Sequence, residues 1–362
     1  MSLLHTPITL REVEFRNRAW VSPMCQYSSR NGAPTDWHLV HLGARATGGA
    51  GAVIVEASAV VPEGRISPDD SGIWSGDHVE AFRPITAFLS DHGAVPGIQI
   101  AHAGRKASVD APWRGGRKLG ADEGGWLPVA PSALAYDDGW QVPHELSVSE
   151  IESVIEAFAA AARRALSAGF RLLEVHAAHG YLLHEFLSPL SNVRTDRYGG
   201  DFEARIRLPL EVVAAVREAW PAELPLSVRI SASDWVDGGW SPADSIALAQ
   251  RLDPLGVDLV DCSSGGNSPA QQIALRPGYQ VPFSSAIRRE AGIATAAVGL
   301  ITEPLQAEEI LVASDADVIL LGRASLRDAA WPLRAAVELG VEGDGWPSQY
   351  LRARPRLPAP AS

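Results

Sequence analysis

What most constrains this chain is an alternation. Short aliphatic and β-branched runs, "GAVIVEASAVV" from Gly51, "AVPGIQIAH" from Ala94, "FRLLEVH" from Phe170, "LPLSVRIS" from Leu224, "GVDLVDCSS" from Gly256 and "ADVILLG" from Ala316, are separated by longer amphipathic stretches. A strand covered on both faces reads as a near-continuous apolar run, so these are expected to be buried strands. The clearest helix is "SEIESVIEAFAAAARRALSAG": Ser149 can cap it, Ile151, Ile155, Phe158 and Ala162 share a face, and Gly169 supplies a left-handed stop. Repeated strand-then-helix units imply parallel strands with covering helices.

Adding "AWVSPMCQY" from Ala19 and "ATAAVGLI" from Ala294 gives about eight units, the number that closes a (β/α)8 TIM barrel. An open, doubly wound sheet is the structural alternative. Against it, "GGAGAV" at Gly48 lacks the third glycine of a dinucleotide fingerprint and precedes a strand, so it more simply ends a helix. No internal repeat is evident, and residues 1–362 read as one domain with two additions. Residues 103–147, with Trp113, Trp126, Trp140 and many glycines, are too long for a bare loop; they either cap the barrel mouth after strand 3 or lie as a flexible surface insertion. Residues 341–362 form a C-terminal arm or tail, rich in proline after Trp346.

Charge and composition narrow the partners. A formal net charge of -12 argues against a general phosphate-backbone binder, which neutralises nucleic acid with a basic surface. No apolar stretch approaches the roughly twenty residues that cross a bilayer. The opening "MSLLHTPITLREVEFRNRAW" is charged where a secretion signal is apolar, and Cys25 and Cys262 offer no disulfide framework. The expected compartment is the cytoplasm.

In a (β/α)8 barrel the chemistry collects at the C-terminal ends of the strands. "LLEVHAAHGYLLHEFL" puts His176 at such an end, with His179 and Tyr181 in the loop that follows. A second pair, His38 and His41 in "WHLVH", reads as a structural pair on a surface helix. For His176 and His179 a metal site is one reading, but zinc needs a third ligand. The metalloprotease Glu directly after the first His is absent, and Glu174, two residues earlier, reads as lying on the strand's other phase. Two neutral imidazoles aimed at one point can instead donate hydrogen bonds to an oxygen that turns anionic, with Tyr181 as proton donor.

These residues also carry a resemblance. "SPMCQYS" at Ser22, "GIQIAHAGRKA" at Gly97, "EVHAAHGYLLHEFLSPLSNVRTDRYGG" at Glu174, "VRIS" at Val228, "VGLI" at Val298 and "LGRASL" at Leu321 resemble the old yellow enzyme family, in its thermophilic-like, xenobiotic-reductase branch. The likeness runs from about Leu4 to Arg352 in consistent order. It implies a barrel holding FMN tightly, with NADPH or NADH as transient hydride donor and an activated alkene, quinone or nitro compound as acceptor.

Residue by residue, the resemblance implies that His176 and His179 hold the acceptor oxygen above the flavin and that Tyr181 protonates the α-carbon. Pro23, Met24 and Ala57 would line the ring, Gln99 would bond its pyrimidine edge, and Arg229 would stabilise its reduced form. Gly299, Gly322 and Arg323 would hold the phosphate in the loops after strands seven and eight. Cys25 would tune the redox potential, while Tyr27 and Lys106 would contact the acceptor. Arg352 matches an arginine that relatives offer to a neighbouring subunit, which implies a homodimer or homotetramer. A metal-dependent barrel hydrolase using His176 and His179 and a non-catalytic ligand-binding barrel are the rival classes, separable by the colour of the purified protein.

Overall fold

A computed structural model describes residues 2–342 and 345–355. Eight parallel strands close into a barrel in the order of the chain. They are β1 (Ala19–Val21), β2 (Ala52–Ala59), β3 (Val95–Ala101), β4 (Leu172–Ala177), β5 (Leu226–Ser231), β6 (Leu259–Ser263), β7 (Thr295–Ala297) and β8 (Val318–Leu321). β8 pairs back onto β1, with Leu320 beside Trp20, so the barrel has no edge. The helices that follow the strands are α1 (Asp36–Thr47), α2 (Gly76–Asp91), α3 (Val148–Ser167), α4 (Arg207–Ala219), α5 (Pro242–Leu252), α6 (Val281–Ala291), α7 (Pro304–Val312) and α8 (Trp331–Glu338). This is the (β/α)8 architecture that the alternation predicts.

Local chemistry explains the element ends. The cap of α3 lies two residues before the expected one: Ser147, not Ser149, accepts from the Glu150 N–H, and the Glu150 carboxylate in turn accepts from the Ser147 N–H. That reciprocal box satisfies two orphan donors, which a lone Ser149 would not. Gly169 takes φ +93° just after the helix, as expected, and Gly48 does follow the last residue of α1. α3 turns Ile151, Val154, Phe158, Ala161, Ala162 and Ala165 inward; Ile155 is only half-buried. At the other end of the barrel, a hairpin of Ile8–Leu10 and Val13–Phe15 closes the floor, and Phe15 stacks on Trp20 with ring centroids 4.2 Å apart.

Two expectations need correction. His38 and His41 are buried, not on a surface. The segment between β1 and α1 folds back, so that His38 Nε2 meets Ser29 Oγ at 3.3 Å and Glu56 at 3.6 Å. Gln99 sits in a barrel strand with neighbours on both sides. Glu174 and His176 are two apart and share a face: Glu174 pairs with Ser227 and His176 with Arg229 in one register.

Between β3 and α3 the chain forms short 3-10 turns at Gly104–Lys106, Pro112–Arg114 and Ala121–Glu123, and a two-stranded pair of Val129–Ala130 with His144–Glu145. Arg194 ties both ends of the stretch 131–146, the last part of this insertion, to the segment after β4, donating to Pro131 O at 2.8 Å and Leu146 O at 2.6 Å. Among the described residues no helix is long and apolar enough to cross a membrane.

Candidate active site

His176 ends β4 and faces the barrel mouth, and the turn after it bends sharply. His179 adopts φ +61° and Gly180 φ +72°. Gly180 is required there: a Cβ would stand 2.2 Å from Gly266 O. The left-handed His179 is held from several sides. Its N–H donates to Ser231 Oγ at 2.9 Å, and its carbonyl accepts from Lys106 Nζ at 2.8 Å. His184, in the short helix Leu182–Leu187, accepts the Gly180 N–H at Nδ1 (2.8 Å) and has Nε2 3.0 Å from Asp234 Oδ1. Strain of this kind persists only where surroundings over-determine it.

The turn brings three side chains together. His176 Nε2 lies 3.3 Å from His179 Nδ1, and His179 Nε2 lies 2.7 Å from Ser263 Oγ at the end of β6. The Tyr181 ring is 5.2 Å from the His176 ring and 6.5 Å from that of His179. Burial, then the charge of Arg229, pulls both imidazoles well below the usual histidine range, so both are neutral at pH 7. Burial, then Cys25, pushes the Tyr181 phenol well up, so it keeps its proton. His176 Nδ1 is buried without a partner among the described residues. An orphaned ring nitrogen at a barrel mouth is a position prepared for a ligand.

Beside the histidines a cavity of about 250 Å3 opens at the ends of β6, β7 and β8, lined by Arg229, Ser263, Gly299, Leu320, Gly322 and Arg323. Gly299 has φ +116°, and a Cβ there would press on Gln280 and Tyr279. Its backbone is therefore bare toward the opening. A bare backbone flanked by two arginines is the chemistry an anionic phosphate needs, and Arg229 faces the inner end of the same space. The residues thus fit a cofactor that carries a phosphate, such as FMN. Another cavity, about 390 Å3, lies at the far end between His5, Arg16 and Trp346 and holds none of the expected residues. Chemistry, not size, selects between them.

The remaining expected residues mostly converge. Arg229 Nη1 donates to Ser22 Oγ at 3.2 Å, next to Pro23, and Met24 Sδ is the nearest atom to a Cβ built on Gly322. Ala57 shares a small space with Tyr181 and Asp70. Cys25, Tyr27 and Tyr181 pack in one apolar cluster with Trp126 and Trp140 of the insertion. Burial, then Asp70 and Glu56, pushes the Cys25 thiol well up. Lys106 holds Gly266 O as well as His179 O, and lies 5.3 Å over the Tyr181 ring. Gln99 donates to Glu174 Oε1 at 2.9 Å deeper in the barrel.

Arg352 does not join this group. It is exposed on the short helix Ser348–Ala353, and the chain just before it, Trp346 to Gln349, runs beside Thr47, Asp91 and His92, the helix ends that lead into strand starts. That is the face opposite the site. Residues 343–344 and 356–362 of the expected arm lie outside the described residues. Sequence reasoning missed Ser231, Ser263, Asp70 and Asp261, which hold or charge the site. The two serines and Asp261 are signalled only by places near strand ends or inside apolar runs, and Asp70, in the loop after β2, by no pattern in the sequence.

Residues 3–342 match the family described as NADH:flavin oxidoreductase / NADH oxidase. The chain belongs to this family. Among its old yellow enzyme relatives, an NADPH dehydrogenase of Geobacillus sp. (strain WCH70) is 48% identical over 342 residues, covering 94% of this chain and 95% of the relative. One from Bacillus subtilis (strain 168) is 46% identical, covering 96% and 98%. Of solved structures, an old yellow enzyme homologue from Zymomonas mobilis superposes with TM-score 0.77 at 28% identity, covering 98% of this chain and 99% of that one. Morphinone reductase superposes at 0.79 and 26%, covering 94% and 90%. This old yellow enzyme is accordingly an NAD(P)H-dependent flavin oxidoreductase with FMN as its cofactor.

Proposed function

We propose that the enzyme is an ene-reductase acting on activated alkenes such as enones, with maleimides, quinones and nitro compounds as further acceptors. The observation that carries this reading is the meeting of two neutral imidazoles and one protonated phenol at a single point. The chemistry that FMN supplies when bound is transfer of hydride, received from NAD(P)H, to the β-carbon of the alkene.

The chain's own residues do the rest. His176 and His179 bind the acceptor's carbonyl or nitro oxygen and stabilise the negative charge that grows on it, an effect worth a few kcal/mol per donor. Ser263 and Ser231 fix the orientation of His179. Tyr181 gives its phenolic proton to the α-carbon. Arg323 with the backbone at Gly299 and Gly322 binds the phosphate; Pro23, Met24, Ala57, Cys25 and Gln99 wall the ring; Tyr27 and Lys106 bound the acceptor space. Residues 103–147 act as a lid that excludes water, through Trp126, Trp140 and Tyr136, whose ring lies 4.8 Å from Lys106 Nζ. Arg352 serves a neighbouring subunit in a homodimer or homotetramer, and the enzyme works in the cytoplasm.

The test separates two half-reactions under anaerobic conditions. Tyr181→Phe should bleach with NADPH at the wild-type rate, yet pass hydride to 2-cyclohexenone about 10²- to 10⁴-fold more slowly. Reoxidation by the enone at the wild-type rate would remove Tyr181 as the acid. Truncation after Leu351 tests the shared site: unaltered kinetics and oligomeric state would reject it.

A further inference from the structure

Beneath the cavity the barrel holds more acid than base. Glu174, Arg229 and Asp261 are all buried, and the register of β3 to β6 turns them onto one inward face with Gln99 and Ser227. Glu174 has the donors that an anion needs: Oε1 accepts from Gln99 Nε2 at 2.9 Å and Oε2 from Ser227 Oγ at 3.1 Å. Asp261 lacks them. Its Oδ2 is 2.9 Å from Arg229 Nε, but the N–H is not directed at it, and neither carboxylate oxygen accepts a hydrogen bond among the described residues. Two carboxyls facing one guanidinium away from water cannot both remain ionised cheaply. The acid without donors is the one that exchanges a proton.

We propose that Asp261 is a redox-tuning residue: ionised, it offsets the charge Arg229 presents to the bound cofactor, and on reduction of that cofactor it takes up a proton and releases that charge. This rests on the assignment of Arg229 to the flavin's edge. The two electrons arrive with the hydride of NAD(P)H; the proton comes from solvent and forms an O–H bond on the Asp261 carboxylate. Nothing else is oxidised or reduced, and reoxidation returns the proton.

The rest of the setting favours Asp261 over other groups. Burial pushes its carboxyl up to about 8, with Arg229 opposing and Glu174 adding. The inward residues on its other side are uncharged: Ala296 pairs with it and with Val318, and Leu320 and Trp20 continue that side. The adjoining Cys262 thiol is pushed well up by burial and then by Asp261, so it stays protonated. Ionised Asp261 disfavours negative charge above Arg229, so the midpoint potential should fall more steeply with pH around that value than it would without it.

The experiment is a spectroelectrochemical titration of FMN-loaded wild type, Asp261→Asn and Arg229→Gln, about two pH units below and one above the Asp261 value. Asp261→Asn should match wild type at the acid end. At the alkaline end its reduced-to-oxidised ratio at a fixed potential should be about tenfold higher, about 30 mV for a two-electron couple. Arg229→Gln should be harder to reduce at both. If Arg229→Gln shifts the potential and Asp261→Asn tracks wild type throughout, the role of Asp261 is overturned while the Arg229 assignment stands. If Arg229→Gln leaves the potential unchanged, that assignment fails and takes this inference with it. Should Asp261→Asn not fold, the wild type decides alone: about one pH unit above the Asp261 value its reduced-minus-oxidised infrared spectrum should gain a carboxylic-acid C=O band that shifts in D2O, and its absence overturns the proposal.

Discussion

Replacing Lys106 with methionine should leave the enzyme folded but change how its stability responds to alkali. The ammonium is held by two carbonyls, His179 O and Gly266 O, each at 2.8 Å, and lies over the rings of Tyr136 and Tyr181. Burial lowers its pKa from 10.5 to about 8. A shift of that size means the charged form costs about 3 kcal/mol on folding. Two hydrogen bonds from a charged donor return about 1.5–3 kcal/mol each. The net effect of Lys106→Met near pH 7 should therefore be small, about 0–3 kcal/mol.

The sign of the pH dependence follows from linkage. Between about pH 8 and 10.5 the unfolded lysine is protonated and the folded one is not, so wild-type stability rises with pH across that window, by up to about 3 kcal/mol. The neutral amine still has two N–H groups for its two carbonyls. Urea unfolding of wild type and Lys106→Met, at one fixed excess of FMN, measures the difference. A gap in stability that does not move in the wild type's favour between pH 7 and about 10 would show that the ammonium is hydrated, and would refute its role as a buried latch on the His179 turn.

Other expectations are simpler. Ser263→Ala frees His179 Nε2 and should raise the acceptor KM about tenfold, the cost of about 1.4 kcal/mol of lost positioning, with NADPH reduction unaffected; stopped-flow of both half-reactions checks it. Gly180→Ala places a Cβ 2.2 Å from Gly266 O at a positive φ and should destabilise by more than about 2 kcal/mol, read as a lowered urea midpoint. Asp234→Ala removes the acceptor of the buried Ser188 O–H and Trp240 N–H and the carboxylate beside His184, and should cost about 3–5 kcal/mol in urea, whereas Asp234→Asn, which keeps an acceptor, should cost less.

The alternation of apolar runs and amphipathic stretches was enough to read the barrel, because strands buried on both faces leave a signature in sequence that needs no partner to be recognised. The strand end at His176 located the mouth for the same reason. What stayed illegible depends on neighbours brought from afar. That His38 is buried follows from the chain between β1 and α1 folding over it onto Glu56, which no periodicity encodes. In the sequence Asp261 is one acid within an apolar run. Its place beside Arg229 is set by the register in which β5 and β6 meet, and that register is fixed by closure of the whole barrel. Arg352 matched a pattern, but a single chain presents it to solvent on the opposite face.

The two bonds from Arg194 to Pro131 O and Leu146 O have a practical side. They clamp both ends of the stretch 131–146, so the residues between them behave as an interchangeable cassette whose ends are already stitched to the wall. Swapping residues 133–142 for other sequences would reshape the entrance seen by incoming molecules while the anchor, and the barrel beneath it, stay as they are.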